Sequence, residues 1–337
     1  MYRVIATLSV LAIATVPAAA SAQSSPVAPA LPPAPAPAPA VQTPTQTTLT
    51  LERVGGRSTV LTGSRVHIRG TTVRGTTGVF VPGETVTVRF FIAGRMREER
   101  PVALTPQADG TGGFLLAYEP RRPGTLKIRA IHDPTPALGP LAARLDSVVD
   151  VIPRSVRRRS GPASIRALQR RLRRLGYVTG ARGSFDARTA RAVLAFRKVT
   201  GMKRTTSASI GVMRAIARGE GRFKIRFREH GRHIEADLSR QVIALIQGGR
   251  VRRIYPVSSG APGTPTVQGS FRIYFKTPGT NSLGMVDAAY FIRGYATHGY
   301  ASVPVFPASH GCLRVPVAEA RRLFRWVRIG TPVDVYP

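Results

Sequence analysis

The spacing of apolar and polar residues changes along this chain, and each change marks a different kind of element. Between about residues 47 and 153, short runs alternate the two classes, as in Thr85-Val-Thr-Val-Arg-Phe90 and Leu126-Lys-Ile-Arg-Ala-Ile131. A period of two predicts β-strands with one buried face. Turn signals such as Pro82-Gly83 and Ala108-Asp109-Gly110 separate the runs. About seven such strands in a hundred residues predict an immunoglobulin-like β-sandwich over residues 47–153.

The next part of the chain has a helical period. Apolar residues recur at intervals of three and four positions in the set Ile165, Leu168, Leu172 and Leu175. They predict one face of a helix that ends at Gly176. Residues 187–199 and the segment that begins near Ile210 have similar spacing. Three short helices in about sixty residues predict a small three-helix bundle over residues 162–219.

From about residue 222 the alternation returns, and the C-terminal region 222–337 is predicted to be mostly β. Asp237-Leu-Ser-Arg-Gln241 lies between two apolar runs and predicts a hairpin turn. Gly269-Ser-Phe-Arg-Ile-Tyr-Phe275 predicts one continuous strand. A single helix is predicted over residues 317–327, because Pro316 suits a helix start and apolar residues follow on one side.

The N-terminus has the pattern of an export signal. Met1-Tyr2-Arg3 is positively charged, residues 4–16 are mainly apolar, and Ala20-Ser21-Ala22 has the small-residue pattern of a cleavage site. The apolar run is short for a membrane span, so residues 1–22 predict a signal peptide and no stable membrane anchor. Residues 23–46 are rich in proline and alanine and predict a disordered linker of extended conformation.

The charge is strongly positive, with 50 Lys and Arg against 17 Asp and Glu and a formal net charge of +33. Such a protein attracts polyanions, among them nucleic acid, anionic lipid and acidic cell-wall polymers. Export makes nucleic acid an unsuitable partner. Anionic wall polymers remain as expected partners, and we expect the protein in the cell wall, the periplasm or the extracellular space.

The chain has one cysteine, Cys312, with His310 two positions before it and His298 fourteen positions before it. In an exported protein a lone cysteine is a buried bystander, half of an intermolecular bridge, or a working thiol. A nearby imidazole is the usual means of generating a reactive thiolate. A zinc site made of these three side chains is the alternative, although we expect no metal and no cofactor. His230 and His233 precede the hairpin and are expected to be exposed.

The helical region resembles a peptidoglycan-binding domain. The resemblance rests on Ile165-Arg-Ala-Leu-Gln-Arg-Arg-Leu-Arg-Arg-Leu-Gly-Tyr177, on Gly183-Ser-Phe-Asp186 and on Thr189-Ala-Arg-Ala-Val-Leu-Ala-Phe196. The sequence departs from that family at Arg197, where glutamine is usual. The resemblance implies binding to the glycan of the wall; a helical domain that only braces its neighbour is the alternative.

The C-terminal region, from about residue 230 to residue 337, resembles an L,D-transpeptidase catalytic domain. The matching segments are Ile234-Glu-Ala-Asp-Leu-Ser-Arg-Gln241, Val257-Ser-Ser-Gly260, Thr264-Pro-Thr266, Gly269-Ser-Phe271, His298-Gly299 and Ser309-His-Gly-Cys-Leu-Arg314. The resemblance implies a β-sandwich with a short helix. The sequence departs from the family at Val267, where a second proline is frequent.

The resemblance also implies the catalytic residues. It makes Cys312 the nucleophile and His298 the general base, with the backbone carbonyl of Gly299 orienting the imidazole. The backbone N–H groups of Gly311 and Cys312 would receive the oxyanion. The field of the following helix would favour the thiolate.

Substrate-binding roles fall to the rest of the signature, namely Ser309, His310, Gly311 and Arg314. His310 is expected to shape the pocket, and Arg314 has the planar fork that suits a carboxylate. The implied activity is that of an exported enzyme that forms 3→3 cross-links between peptidoglycan stem peptides. The alternatives are an L,D-carboxypeptidase, in which water replaces the acceptor amine, and a non-catalytic wall-binding or scaffold protein.

Overall fold

The computed structural model of the chain describes residues 47–73, 83–136 and 138–337. The signal peptide predicted at residues 1–22 and the linker predicted at residues 23–46 lie outside these described residues. The described part contains nineteen β-strands and four α-helices. None of these four helices combines the length and the apolar character needed to cross a bilayer.

The N-terminal β region consists of ten strands in two sheets. In chain order they are β1 (Thr48–Arg53), β2 (Thr59–Leu61), β3 (Val66–Val73), β4 (Thr85–Ile92), β5 (Arg95–Ala103), β6 (Thr105–Pro106), β7 (Gly112–Tyr118), β8 (Gly124–His132), β9 (Leu141–Arg144) and β10 (Val149–Ile152). One sheet has the order β1-β3-β7-β6, and the other has the order β2-β10-β8-β4-β5 with β9 paired to β8. About seven strands were expected; β2, β6 and β9 are two to four residues long, too short for an alternating pattern.

Alternation in this region matches burial. In β4 the side chains of Val86, Val88, Phe90 and Ile92 are buried. They pack with buried residues of the other strands into a hydrophobic core that belongs to this region alone. The region therefore carries its own core between its two sheets.

Three helices follow: α1 (Pro162–Arg174), α2 (Ala187–Val199) and α3 (Ile210–Ala217). The helix α2 starts where predicted, because the Asp186 carboxylate accepts a hydrogen bond of 2.8 Å from the backbone N–H of Thr189. Of the residues that predicted α1, Ile165, Leu168 and Leu172 lie on its buried face, whereas Leu175 follows the last helical residue and is half-buried.

The C-terminal region contains nine strands and the fourth helix. They are β11 (His233–Asp237), β12 (Val242–Gln247), β13 (Arg250–Pro256), β14 (Gly269–Arg272), β15 (Phe275–Thr280), β16 (Val286–Ile292), β17 (Tyr295–Tyr300), β18 (Leu313–Pro316), α4 (Val317–Trp326) and β19 (Pro332–Tyr336). One sheet has the order β13-β12-β11-β19-β14, and the other has the order β15-β16-β17-β18. The strand predicted over residues 269–275 is divided between these two sheets, because the chain passes from one to the other at the buried Ile273.

The strand β12 is buried on both faces. Val242, Ala244 and Ile246 pack with the three helices, whereas Ile243 and Leu245 pack into the core of the C-terminal region. A strand covered on both sides has an unbroken apolar sequence, as Val-Ile-Ala-Leu-Ile does here. The helices and the C-terminal region therefore share a hydrophobic core.

Candidate active site

Two parallel strands carry the predicted nucleophile and base. Strands β17 and β18 pair with Thr297 opposite Leu313 and His298 opposite Arg314. Thr297 and Leu313 are fully buried on the core side. Since side chains alternate along a strand, Cys312, directly before β18, lies on the same face as His298. With strands about 4.8 Å apart and a rise of about 3.3 Å per residue, the Cα atoms of Cys312 and His298 are about 8 Å apart.

The imidazole of His298 is buried and oriented. Its Nδ1 lies 2.9 Å from the backbone carbonyl oxygen of Gly299. A carbonyl only accepts, so Nδ1 carries the hydrogen and Nε2 keeps its lone pair. Burial lowers the pKa of His298, the hydrogen bond to Gly299 opposes that change, and the Arg314 guanidinium lowers the pKa further. The imidazole is therefore neutral near neutral pH and can accept a proton.

The thiol of Cys312 is half-exposed and makes two contacts with the start of β17. The backbone N–H of Ala296 donates to Sγ at 3.4 Å, and Sγ lies 3.6 Å from the carbonyl oxygen of Gly294. Burial raises the pKa of the Cys312 thiol, against smaller lowering contributions from the Ala296 N–H and the Arg314 guanidinium. The resting pair is therefore a neutral thiol and a neutral imidazole.

This charge state corrects one expectation. The helix after Cys312 was expected to favour the thiolate, but the pKa of the thiol is raised. The helix α4 begins only at Val317, and the four residues of β18 separate it from Cys312. A strand of that length spans about 13 Å, whereas the field of a helix end falls off within its first turn.

The loop that ends at Cys312 is held by three side-chain hydroxyl groups. Ser309 Oγ donates to the carbonyl oxygen of Cys312 at 2.6 Å and accepts from the N–H of Gly311 at 3.1 Å. Thr264 Oγ1 donates to the carbonyl oxygen of Ser309, and Thr266 Oγ1 donates to that of Gly311. Ser309 is 1% exposed, so these contacts favour a positioning role. A direct contact of Ser309 with substrate stays a prediction.

Two glycines of the signature are required by packing. A Cβ atom at Gly299 would lie 2.6 Å from the Cβ of Ala320 in α4. Gly311 has a φ of +112°, and a Cβ there would lie 2.3 Å from the ring of Tyr295. Both sites therefore need a residue without a side chain. Of the two predicted oxyanion donors, the N–H of Gly311 already donates to Ser309 Oγ.

Sequence reasoning missed Tyr300, which lies two residues after His298 on the same face of β17. Its ring meets that of His298 edge to face, with centroids 5.7 Å apart. The guanidinium of Arg314 stacks 4.1 Å above the Tyr300 ring and donates to the carbonyl oxygen of Ala308 at 3.1 Å. His310 is exposed. The alternation of a strand through His298 was the signal that could have identified Tyr300.

His230 and His233 were expected to be exposed, but neither is. His233 is fully buried with Nε2 3.2 Å from the Glu235 carboxylate, and His230 is half-buried with Nδ1 2.9 Å from that of Asp334. His233 is buried because β11 is a central strand, paired with β12 on one side and β19 on the other. His230 lies in a short turn before β11 and is partly covered through its contact with Asp334 of β19. Over residues 47–73, 83–136 and 138–337, no group of three or more His, Cys, Asp or Glu side chains could hold a metal ion.

Comparisons with known proteins identify two domain families in the chain. Residues 231–335 match the sequence profile of the L,D-transpeptidase catalytic domain, and residues 162–215 match that of a peptidoglycan-binding domain. No curated protein sequence matches the chain significantly.

Several solved structures are similar to the chain. An L,D-transpeptidase from Xylanimonas cellulosilytica is 34% identical, with 54% of this chain and 97% of that chain covered and a TM-score of 0.49. An L,D-transpeptidase from Stackebrandtia nassauensis is 20% identical, with coverages of 51% and 90% and a TM-score of 0.35. The catalytic domain of the Enterococcus faecium L,D-transpeptidase is 28% identical, with coverages of 32% and 98% and a TM-score of 0.29. On the matched catalytic-domain profile and the 34% identity across 97% of the crystallised Xylanimonas chain, the chain belongs to the L,D-transpeptidase family.

Proposed function

We propose that this protein is an exported L,D-transpeptidase that forms 3→3 cross-links between peptidoglycan stem peptides through an acyl-enzyme on Cys312. One observation carries the proposal: the half-exposed thiol of Cys312 shares a sheet face with His298, and the Nε2 of that imidazole is available as a base. A nucleophile, a base and a third group that orients the base make up the arrangement that acyl transfer needs.

Acylation begins from the neutral pair. Rotation of the Cys312 side chain toward His298 lets Nε2 take the thiol proton as Sγ attacks the carbonyl carbon at the L-centre of the donor stem. The tetrahedral intermediate collapses with cleavage of the C–N bond, and the imidazolium gives its proton to the departing D-amino acid. The product is a thioester on Cys312. The backbone N–H of Cys312 is the donor we assign to the oxyanion, since the N–H of Gly311 is bonded to Ser309.

The second half of the reaction reverses these roles. The side-chain amine of a diamino acid on a neighbouring stem attacks the thioester carbonyl, and Nε2 of His298 takes a proton from that amine. The C–S bond then breaks, and the imidazolium returns its proton to Sγ. The imidazole of His298 is neutral at rest and becomes charged only during the reaction. This behaviour suits a base whose pKa is lowered by burial.

The other parts of the chain support delivery to the wall. Residues 1–22 would direct export and residues 23–46 would act as a tether. Residues 47–153 would form an immunoglobulin-like spacer, and the bundle at residues 162–219 would bind glycan. The net charge of +33 favours anionic wall polymers as additional partners. Association with the wall should then weaken with added salt.

The experiment is incubation of the protein with a purified tetrapeptide muropeptide, followed by mass spectrometry of protein and products. We expect a transient thioester adduct on Cys312 and a muropeptide dimer. The Cys312→Ala variant should bind wall material and form neither. Dimer formation by that variant at the wild-type rate would refute the assignment of the nucleophile.

The same experiment separates the alternatives. A tripeptide product without dimer would identify an L,D-carboxypeptidase, in which water resolves the thioester. Wall binding without an adduct or a new muropeptide would identify a non-catalytic wall protein.

A further inference from the structure

A pocket of about 430 Å³ lies beside the candidate active site, between the helices and the C-terminal region. Its wall includes Arg191 and Leu194 of α2, Tyr300 and Ala301 at the end of β17, Val303, and Val317 at the start of α4. A volume of this size suits a small ligand or a few residues of a peptide. Both sequence-matched modules therefore contribute to one concave surface.

Tyr300 belongs both to the wall of the pocket and to the candidate active site. One part of its ring lines the pocket, and the ring also meets His298 and Arg314 at centroid distances of 5.7 and 4.1 Å. Along β17, Ala296 is next to Cys312 and Tyr300 is four residues further. Four residues of strand span about 13 Å. An extended peptide of four residues spans the same distance, so a stem that reacts at Cys312 is long enough to reach the pocket.

The pocket carries positive charge that is not fully compensated. The carboxylate of Glu319 lies 2.5 Å from Arg188 Nε but 3.7 Å from the nearest nitrogen of Arg191. Arg191 Nε is buried and has no hydrogen-bond partner within the part of the chain that the structure describes. Arg188 and Arg191 thus share one carboxylate, and of these three residues only Arg191 lines the pocket. The remaining charge at the pocket suits an anionic group, and a guanidinium matches a carboxylate in shape.

The position of α2 against the five-stranded sheet of the C-terminal region is held by specific contacts. Lys198 Nζ donates to the carbonyl oxygens of Gln241 and Val257 at 3.0 and 2.9 Å, and Lys198 is 2% exposed. Further along the helical region, Arg204 donates to the carbonyl oxygen of Val305 in the loop that also carries Val303. The pocket is therefore formed by packed elements on both sides rather than by an exposed loop alone.

We propose that this composite pocket binds the carboxylate-bearing part of a stem peptide, with Arg191 as the residue that pairs with the carboxylate. The helical region then contributes directly to substrate binding, beyond any role in attaching the protein to glycan. This inference rests on the proposed function, because it assumes that stem peptides are the substrate.

The test measures binding of a synthetic tetrapeptide stem to full-length Cys312→Ala protein by titration calorimetry. Arg191→Gln removes the charge, and Ala301→Trp fills the pocket from an exposed position that is not part of a core. Each change should weaken binding about tenfold, which corresponds to one charge-assisted contact. Arg170→Gln is the matched control, because Arg170 is exposed on α1 and lies outside the pocket. This variant should bind the stem with the same affinity as the parent protein.

A stem with amidated carboxylates sharpens the result. It should bind the parent protein about tenfold more weakly than the free acid, and it should bind the Arg191→Gln variant no more weakly than it binds the parent. Equal affinities of all variants, or no binding of the stem to the parent, would overturn the pocket proposal. If the stem binds as expected but wild-type protein forms neither adduct nor product, the proposed catalysis fails and the pocket stands.

Discussion

The N-terminal β region and the C-terminal region are both built from two sheets, but they differ in what covers those sheets. The N-terminal region buries most of its apolar residues between its own two sheets. In the C-terminal region, the outer face of the five-stranded sheet is covered by the three helices, and β12 contributes apolar side chains to both sides. The hydrophobic pattern changes from a helical to an alternating period near residue 220, but the hydrophobic core continues across that point.

The two β regions also differ in how they contact the helices. Contacts between the N-terminal region and the helices include the pairing of Arg171 with Asp150 and the packing of Ile152 and Val156 against helical residues. The helices contact the C-terminal region through buried lysine, arginine and aliphatic groups that lie near the active-site strands. We therefore expect the second attachment, but not the first, to matter for the site, and four predictions test this difference.

Truncation should give the largest effect. A chain of residues 222–337 alone would expose Val242, Ala244, Ile246 and Ile254, which are buried against the helices. At about 1.5–3 kcal/mol for each of the three larger side chains, the loss approaches the net stability of a domain. Circular dichroism should show no cooperative melting for this chain. A chain of residues 153–337, which keeps the helices, should melt cooperatively; equal behaviour of the two would contradict the shared core.

Two buried histidines distinguish catalysis from stability. His298→Ala should lower the rate of acylation by about 10²–10⁴-fold, because a general base is lost. His132 lies in the N-terminal region, with Nε2 2.8 Å from the Glu84 carboxylate and Nδ1 3.0 Å from the carbonyl oxygen of Gly139. His132→Ala should lower the free energy of unfolding by about 2–3 kcal/mol and leave kcat unchanged. A loss of activity in folded His132→Ala protein would remove the distinction.

Lys198 should make the attachment of the helices depend on pH. Burial lowers the pKa of Lys198 to about 7, with a smaller contribution from Arg204. Between pH 7 and the ordinary lysine pKa, the unfolded chain holds a proton that the folded chain has lost, so stability rises with pH in that range. Relative to Lys198→Met, the wild-type protein should gain about 2 kcal/mol from pH 7 to pH 9. An equal change in the free energy of unfolding between pH 7 and pH 9 for the two proteins, measured by urea denaturation, would contradict this.

Arg197 should give the smallest effect. Its guanidinium donates to the carbonyl oxygens of Ser207 and Lys203 and to Ser209 Oγ at 2.8–3.0 Å. Arg197→Gln, which restores the residue usual in peptidoglycan-binding domains, should cost about 2 kcal/mol in thermal unfolding. Arg170→Gln, at an exposed position of α1, should cost nothing measurable. Equal melting temperatures of the two variants would show that Arg197 does not hold this loop.

Local pattern predicted much of the fold. The bounds of α2 and the hairpin between β11 and β12 agree with the sequence, because capping and turn residues act over a few positions. The strand expected over residues 269–275 was wrong, because alternation does not reveal which sheet a strand joins. The prediction that His233 is exposed was wrong as well. Its imidazole can be buried in a central strand because the carboxylate of Glu235 forms a hydrogen bond with it.

The sequence by itself determined the types of most elements and the single thiol, and it proposed His298 as the imidazole beside that thiol. Tertiary structure alone decided that β17 and β18 pair in parallel with Cys312 and His298 on one face, that the thiol and imidazole rest in their neutral forms, and that Tyr300 joins the site to a second pocket. The reason is physical: periodicity and capping depend on neighbours in the chain, whereas strand pairing, burial and pKa depend on residues that only folding brings together.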